Sequence, residues 1–169
     1  MTLAILVLIS VMWVPVALLF LGHGEAKGTG AATGFVGLLV VIGALIQTAL
    51  FKDAFTGALL FAHGTLYLCV SYALLTGLSD MRSVGNVSLT VAIISTIYAV
   101  IWLGGSKVVP VNNYFGLCAV GYAVLTYEVW LNAYGKFPAK LLAWSLLVWA
   151  VIGLWIPAFS LLTSGTLPF

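Results

Sequence analysis

Long apolar runs, separated by short polar or glycine-rich breaks, dominate the chain. The runs cover residues 3–21, 31–50, 54–78, 86–103, 109–132 and 138–163. Each comes close to the about 20 residues with which an α-helix crosses about 30 Å of hydrocarbon. Lipid offers no partner to an unpaired backbone N–H or carbonyl group, so each run must be helical. The pattern predicts an all-α polytopic membrane protein with six transmembrane helices in a single bundle.

The composition supports this prediction and limits the classes of function. Of 169 residues, 63% are hydrophobic and only 6% are charged, whereas soluble domains carry about a quarter charged residues. The protein surface must therefore face lipid. The spans fill residues 1–169 as one domain and leave no room for a soluble catalytic domain. The net charge of +2 is scattered along the chain, which excludes a basic patch for nucleic acid.

The distribution of basic residues predicts the orientation. The first, third and fifth loops carry Lys27, Arg82, Lys136 and Lys140, and the second and fourth carry only Lys52 and Lys107. Cytoplasmic loops are enriched in lysine and arginine. We therefore expect the odd-numbered loops in the cytoplasm and both termini outside.

Small side chains form a stripe on the second span. The stripe consists of Gly30, Gly34, Gly37, Val41, Ala44 and Thr48. Such stripes let two helix backbones approach closely in a membrane. The partner is either another helix of the same protomer or a second subunit.

Ionisable residues within the spans are few. His63 lies near the middle of the third span, and Glu128 lies about one turn from the cytoplasmic end of the fifth. Proton and ion pathways usually string several such groups across the membrane. No nucleophile–base pair or set of metal ligands stands out, so we predict no enzymatic activity, no cofactor and no metal site.

Aromatic residues and prolines account for the remaining polar groups within the spans. Trp13, Tyr98, Tyr122 and Trp149 fall near mid-depth, although membrane aromatics usually lie at the interfaces. An indole at that depth needs a partner for its N–H group. Pro157 should also free the carbonyl group four residues earlier, as should Pro15 in the first span. These groups suit a flat, uncharged solute that forms hydrogen bonds.

Several short motifs, taken in order, resemble the AmiS/UreI family of small-amide and urea channels. They are Phe35-Val36-Gly37, Leu59-Leu60-Phe61, Leu66-Tyr67, Gly135-Lys136-Phe137 and Trp155-Ile156-Pro157-Ala158. The resemblance covers nearly the whole chain, and the last tetrapeptide is its most specific part. It implies six helices per protomer, both termini outside, a pore through each protomer and a homo-hexameric ring closed by lipid.

The resemblance also implies which side chains line the pore. Carried over by position, the first span contributes Leu6, Ile9 and Trp13. The third span contributes Phe61 and Thr65, and the fifth offers Tyr122 as a candidate.

Two departures from the family pattern concern selectivity and gating. Where the family has a membrane-embedded glutamate in the last helix, this chain has Trp149, so either Glu128 or no carboxylate takes its place. The acid-gated urea channels carry a histidine-bearing loop between spans 2 and 3, whereas this chain has a bare turn. We therefore expect no acid gating of that type.

The sequence thus predicts a passive channel for small neutral amides, such as urea and acetamide, in a bacterial inner membrane. The family implies a functional link to a cytoplasmic amidase or urease. An alternative is a proton-coupled transporter of small solutes that uses Glu128 or His63.

Overall fold

A computed structural model describes residues 2–169 of the chain, and these residues fold as a helical bundle. The helices are α1 (Thr2–Phe20), α2 (Ala26–Ala49), α3 (Ala54–Thr76), α4 (Arg82–Gly104), α5 (Asn113–Ala133), α6 (Ala139–Trp149) and α7 (Ile156–Ser164). A π-helical segment, Ala150–Trp155, joins α6 to α7 into one membrane span. Within the described range, six helices are long and apolar enough to cross a membrane. The prediction of an all-α protein with six spans is confirmed.

Three helices begin four or more residues away from their predicted positions. The carboxylate of Glu25 accepts the backbone N–H groups of Lys27 and Gly28, so α2 begins at Ala26 rather than at residue 31. Helix α4 begins at Arg82, four residues early, without a side-chain cap. The side chain of Asn112 caps α5 and delays its start to residue 113. Charged residues that mark loops in the sequence thus belong to first helical turns.

The six spans form a closed ring. Each of α1 to α5 packs against the next helix in the chain, and the last span closes the ring by packing against α1. Because neighbouring spans are antiparallel, the ring has two ends. One end, the odd-loop end, carries the loops that follow α1, α3 and α5; the other end carries the remaining loops and both chain termini.

The small-residue stripe of α2 packs against α3 of the same protomer. A methyl group on Gly30 would lie 2.9 Å from Leu74 Cβ, and one on Gly37 would lie 3.1 Å from the backbone nitrogen of Leu68. The hydroxyl of Ser71 donates a hydrogen bond of 2.7 Å to the carbonyl of Gly30. Packing within one protomer is therefore the correct interpretation of this stripe.

The π-helical segment changes which carbonyl group Pro157 leaves free. The N–H of Ile156 donates to the carbonyl of Val151, five residues earlier. In this register the missing N–H of the proline faces Ile152 rather than Gly153. The carbonyl of Ile152 accepts from the Tyr114 hydroxyl instead, at 2.8 Å.

A second tyrosine, Tyr122, donates a hydrogen bond to the carbonyl of Gly153, at the point where the backbone returns to α-helical hydrogen bonding. The two oxygen atoms lie 2.7 Å apart. A freed backbone carbonyl is costly in a membrane unless a neighbouring group satisfies it. Helix α5 therefore supplies both missing donors to the last span.

Candidate functional site

A cavity of about 990 Å³ lies inside the ring of helices. Its wall comes from the C-terminal halves of α1, α3 and α5 and from the N-terminal parts of α4 and α6. The loop residues Ser79 and Asp80, both exposed, belong to its lining, so the cavity reaches the surface at the odd-loop end. At the other extreme it ends near mid-depth, at Trp13 and His63. The cavity is thus a one-sided vestibule.

The mouth of the vestibule carries an exposed ion pair. Arg82 and Asp80 lie 2.6 Å apart, and both side chains are more than half exposed. Hydrogen bonds from the Arg82 side chain and backbone hold the pKa of the Asp80 carboxyl at about 2. The mouth therefore keeps one positive and one negative charge throughout the neutral and mildly acidic range.

The wall between the mouth and the floor is mostly apolar. It includes Val16, Leu66, Val70, Leu125, Val129 and Leu146. Such a wall offers a solute no hydrogen bonds to replace those that it loses with its water. Replacement hydrogen bonds must come from polar groups at the floor.

Four polar side chains from three helices meet at the floor, and we call them the floor network. The indole Nε1 of Trp13 donates to the hydroxyl of Tyr67 at 3.3 Å. That hydroxyl lies 3.5 Å from Nδ1 of His63, and Nε2 of His63 lies 3.0 Å from Oγ of Ser95. All four side chains are buried. The indole thus has the polar partner that its depth requires.

Tyr122 closes the floor from the side of α5. Its ring centroid lies 5.8 Å from that of Trp13 and 5.6 Å from that of His63, both in edge-to-face geometry. Its hydroxyl is fixed on Gly153 of the π-helical segment. Edge-to-face contact is a favourable arrangement of such rings. Three rings from α1, α3 and α5 therefore form a narrow waist.

Beyond the waist the passage is filled by packed side chains. Leu6 and Ile9 lie on α1 toward the other end of the ring and are buried in the main apolar core. Trp149 is half-buried, and its ring covers Gly121 so closely that no methyl group fits there. None of these three side chains lines the vestibule. The described structure is thus closed on this side.

Phe61 and Thr65 lie away from the vestibule. Phe61 is 44% exposed on the outer face of α3, and Thr65 is exposed on the same face. The Thr65 hydroxyl donates its proton to the carbonyl of Phe61 at 2.9 Å. Neither residue lines the vestibule, so their place in a pore lining stays a prediction from the family resemblance. The residue between them, His63, points inward because it lies on the opposite side of the helix.

Glu128 lies at the contact of α5 with α6 and does not line the vestibule. Its Oε1 accepts a hydrogen bond of 2.9 Å from the Ser145 hydroxyl. Its Oε2 is buried and has no partner among residues 2–169. The structure therefore does not bring Glu128 together with His63 in the floor network. Within the same range, no group of three or more His, Cys, Asp and Glu side chains could hold a metal ion.

Two members of the floor network, Tyr67 and Ser95, are not among the candidate site residues predicted from the sequence. Tyr67 entered only as part of a motif, and Ser95 did not enter at all. One signal was present: His63 and Tyr67 are four residues apart and so share one face of a helix. Buried polar groups in a membrane face one another rather than lipid, which marks that face as the inner one.

Comparisons with known proteins agree on family and fold. The model of the AmiS/UreI family transporter matches residues 1–165. No curated protein matches the sequence. The cryo-EM structure of the Helicobacter pylori urea channel in its closed state superposes with a TM-score of 0.84 at 20% identity, covering 99% of this chain and 100% of that one. A crystal structure of the urea channel from this human gastric pathogen gives 0.81 at 22% identity, covering 98% and 99%.

The family match extends over nearly the whole chain, and both structural neighbours are channels rather than enzymes. The fold of those channels is also the fold of this chain, from its first helix to its last. The chain therefore belongs to the AmiS/UreI family of transporters.

Proposed function

We propose that this protein is a passive channel for small neutral amides, with urea and acetamide as representative permeants. One observation carries the proposal: the vestibule ends at mid-depth on a waist of rings, beside a floor network whose polar atoms bond to one another without a fixed charge. A planar amide fits between ring faces and can form hydrogen bonds with a hydroxyl, an indole or an imidazole. The known urea channels of the same fold support this choice of permeant.

Charge and polarity at the waist favour neutral solutes over ions. A cation pathway needs acidic side chains or rings of carbonyls where the ion loses its water. The charged residues that line the vestibule, Asp80 and Arg82, lie at its mouth and neutralise each other. An ion that reached the floor would lose most of its hydration for little return. A neutral amide loses far less.

The assembly and setting follow from the family. We propose a homo-hexamer with one pathway in each protomer, inserted in a bacterial inner membrane with both termini outside. In this orientation the vestibule opens to the cytoplasm, where a soluble amidase or urease would consume the permeant. Large apolar side chains such as Phe35, Phe61 and Phe159 are exposed on the outer face of the ring, which suits contact with lipid or with a neighbouring subunit.

The geometry also bears on gating. Only residues 50–53 separate α2 from α3, so no extended loop joins these two helices. We therefore propose a pore without the loop-based acid gate. In the proton-coupled alternative, a pH gradient would drive uphill accumulation of solute, and this accumulation would disappear in Glu128→Gln. A channel would only equilibrate the solute.

Stopped-flow swelling of proteoliposomes tests the proposal directly. Liposomes with the purified protein should take up urea, formamide and acetamide faster than protein-free liposomes, and glycerol should gain much less. Trp13→Ala removes one wall of the waist and should raise the flux of glycerol relative to urea. Trp144→Ala, at a 58% exposed position on the outside of α6, is the matched control. No gain in flux for urea or any amide would refute the proposed function.

A further inference from the structure

The floor network contains one more hydrogen-bond donor than its internal contacts use. Trp13, Tyr67, Ser95 and a neutral His63 each carry one side-chain N–H or O–H group. Three contacts join these residues: Trp13 to Tyr67, Tyr67 to His63, and His63 to Ser95. Each contact uses one donor. One proton is therefore left over, and its position decides what the floor offers to a solute.

Two arrangements satisfy all three contacts. The indole of Trp13 can only donate, so the hydroxyl oxygen of Tyr67 accepts in both. In the first arrangement Tyr67 donates to Nδ1 of His63, Nε2–H donates to Ser95, and the proton of Ser95 is left over. In the second, Ser95 donates to Nε2, Nδ1–H donates to Tyr67, and the proton of Tyr67 is left over.

Burial decides between the two arrangements. Ser95 is completely buried, and residues 2–169 give its hydroxyl no partner besides His63. A leftover proton there would be an unsatisfied buried donor, which is expensive. Tyr67, in contrast, lines the vestibule, where a solute or water can accept its proton. The second arrangement is therefore the stable one.

We infer that Tyr67 presents its hydroxyl proton to the vestibule as a binding site for a carbonyl oxygen. His63 and Ser95 are positioning residues: the Ser95 proton occupies Nε2, so Nδ1 carries the imidazole proton and cannot take the one on Tyr67. Two N–H donors to the same oxygen also strengthen its own O–H as a donor. The inference rests on the proposed function, since urea and short amides carry the carbonyl oxygen that this site would receive.

The protonation of His63 can be read directly. The chain contains two histidines, so ¹⁵N-histidine labelling gives few signals in solid-state NMR of the protein in lipid. His23, in the exposed loop after α1, is assigned by its loss in His23→Gln. We expect the remaining histidine to be neutral with the proton on Nδ1. In Ser95→Ala the bias disappears, and a mixture of both neutral forms is expected. A wild-type His63 with its proton on Nε2 overturns the inference.

A flux experiment with two solutes of the same shape tests the consequence. Thiourea replaces the carbonyl oxygen of urea with sulfur, which is a weaker acceptor. Tyr67→Phe should lower urea flux by about threefold to tenfold, the value of one hydrogen bond, with a smaller effect on thiourea. Tyr72→Phe, on the same helix but 62% exposed, should change neither solute. Ser95→Ala should reduce the ratio of urea to thiourea flux by about twofold, because it leaves two arrangements of similar population.

The outcomes separate this inference from the proposed function. If wild-type liposomes conduct neither urea nor amides, the channel proposal is wrong. If they conduct urea but Tyr67→Phe leaves the ratio of urea to thiourea unchanged, the channel stands and the carbonyl site is wrong. The NMR measurement on the wild type decides the arrangement of protons even if Tyr67→Phe does not fold.

Discussion

The hydrogen bond between Tyr114 and the last span is expected to depend on Pro157. The Tyr114 hydroxyl donates to the carbonyl of Ile152 at 2.8 Å, and the side chain is 97% buried. In the π-helical register that carbonyl lacks a backbone donor because residue 157 is proline. Replacing Pro157 with alanine returns an N–H group to this position. The tyrosine hydroxyl should then become redundant.

The expected magnitude follows from the value of hydrogen bonds in membranes. A side-chain hydrogen bond there contributes about 0.6 kcal/mol on average and at most about 1.7 kcal/mol. Leaving a buried carbonyl unpaired costs about 1–3 kcal/mol. We therefore expect Tyr114→Phe to lower the free energy of unfolding by about 1–2 kcal/mol in the wild type. In Pro157→Ala the same substitution should cost within about 0.5 kcal/mol of zero, the usual error of additivity.

A double-mutant cycle, measured by unfolding in mixed micelles, checks this expectation. Tyr122→Phe is the control, because its partner Gly153 lies where the register returns to α-helical. Its cost should be the same with Pro157 or alanine. If Tyr114→Phe costs the same in both backgrounds, the argument is wrong. If it is instead Tyr122→Phe that no longer lowers the free energy of unfolding in Pro157→Ala, then Pro157 acts on the carbonyl four residues earlier. That result would refute the π-helical register.

Three further expectations concern packing, pH and the outer face. Gly121→Ala should displace the Trp149 indole that covers this glycine and lower the free energy of unfolding by about 1–3 kcal/mol. Gly104→Ala is the control, because no atom lies within 4 Å of the added methyl group. Equal costs of the two substitutions would contradict the packing. Urea flux should not follow the titration of Asp80, since Arg82 lowers its pKa to about 2 and keeps it ionised above that pH. The ratio of wild-type to Asp80→Asn flux, measured by stopped flow, should therefore stay constant between pH 5 and 8, and a ratio that changes with pH would contradict this. Phe61→Ala should leave the urea flux of proteoliposomes unchanged, because the ring lies outside the vestibule, and a large loss would return it to the pathway.

The hydropathy pattern is enough to predict the six spans, but it does not predict which face of each helix points inward. In a soluble protein the inner face is the apolar one. In a membrane both faces are apolar, so hydropathy alone does not separate the face of Phe61 from the face of His63. The spacing of the two polar residues His63 and Tyr67 is the one signal that does. The family resemblance predicts Phe61 and Thr65 in the pore lining, whereas the vestibule is lined by their neighbours His63 and Tyr67.

The ends of the helices and the last span differ from expectation for local reasons. Their charge predicts loop positions for Lys27 and Arg82, yet Lys27 lies in the first turn of α2 and Arg82 in the first turn of α4. The effect of Pro157 was assigned to Gly153 on the assumption of an uninterrupted α-helix. A π-helical segment has no periodic signature in an apolar run, so the sequence could not reveal the shift of one residue.

The one-sided vestibule makes the two faces of the membrane unequal toward molecules that are too large to pass. If the protein conducts amides as proposed, an amide with a bulky tail would enter from the odd-loop end, lodge its head at the waist and block the pathway. The same compound applied from the opposite face meets packed side chains such as Leu6 and Ile9 and finds no room to seat. Blockade would thus depend on the side from which the compound is added. Solutes small enough to pass the waist would still move down their gradient in either direction.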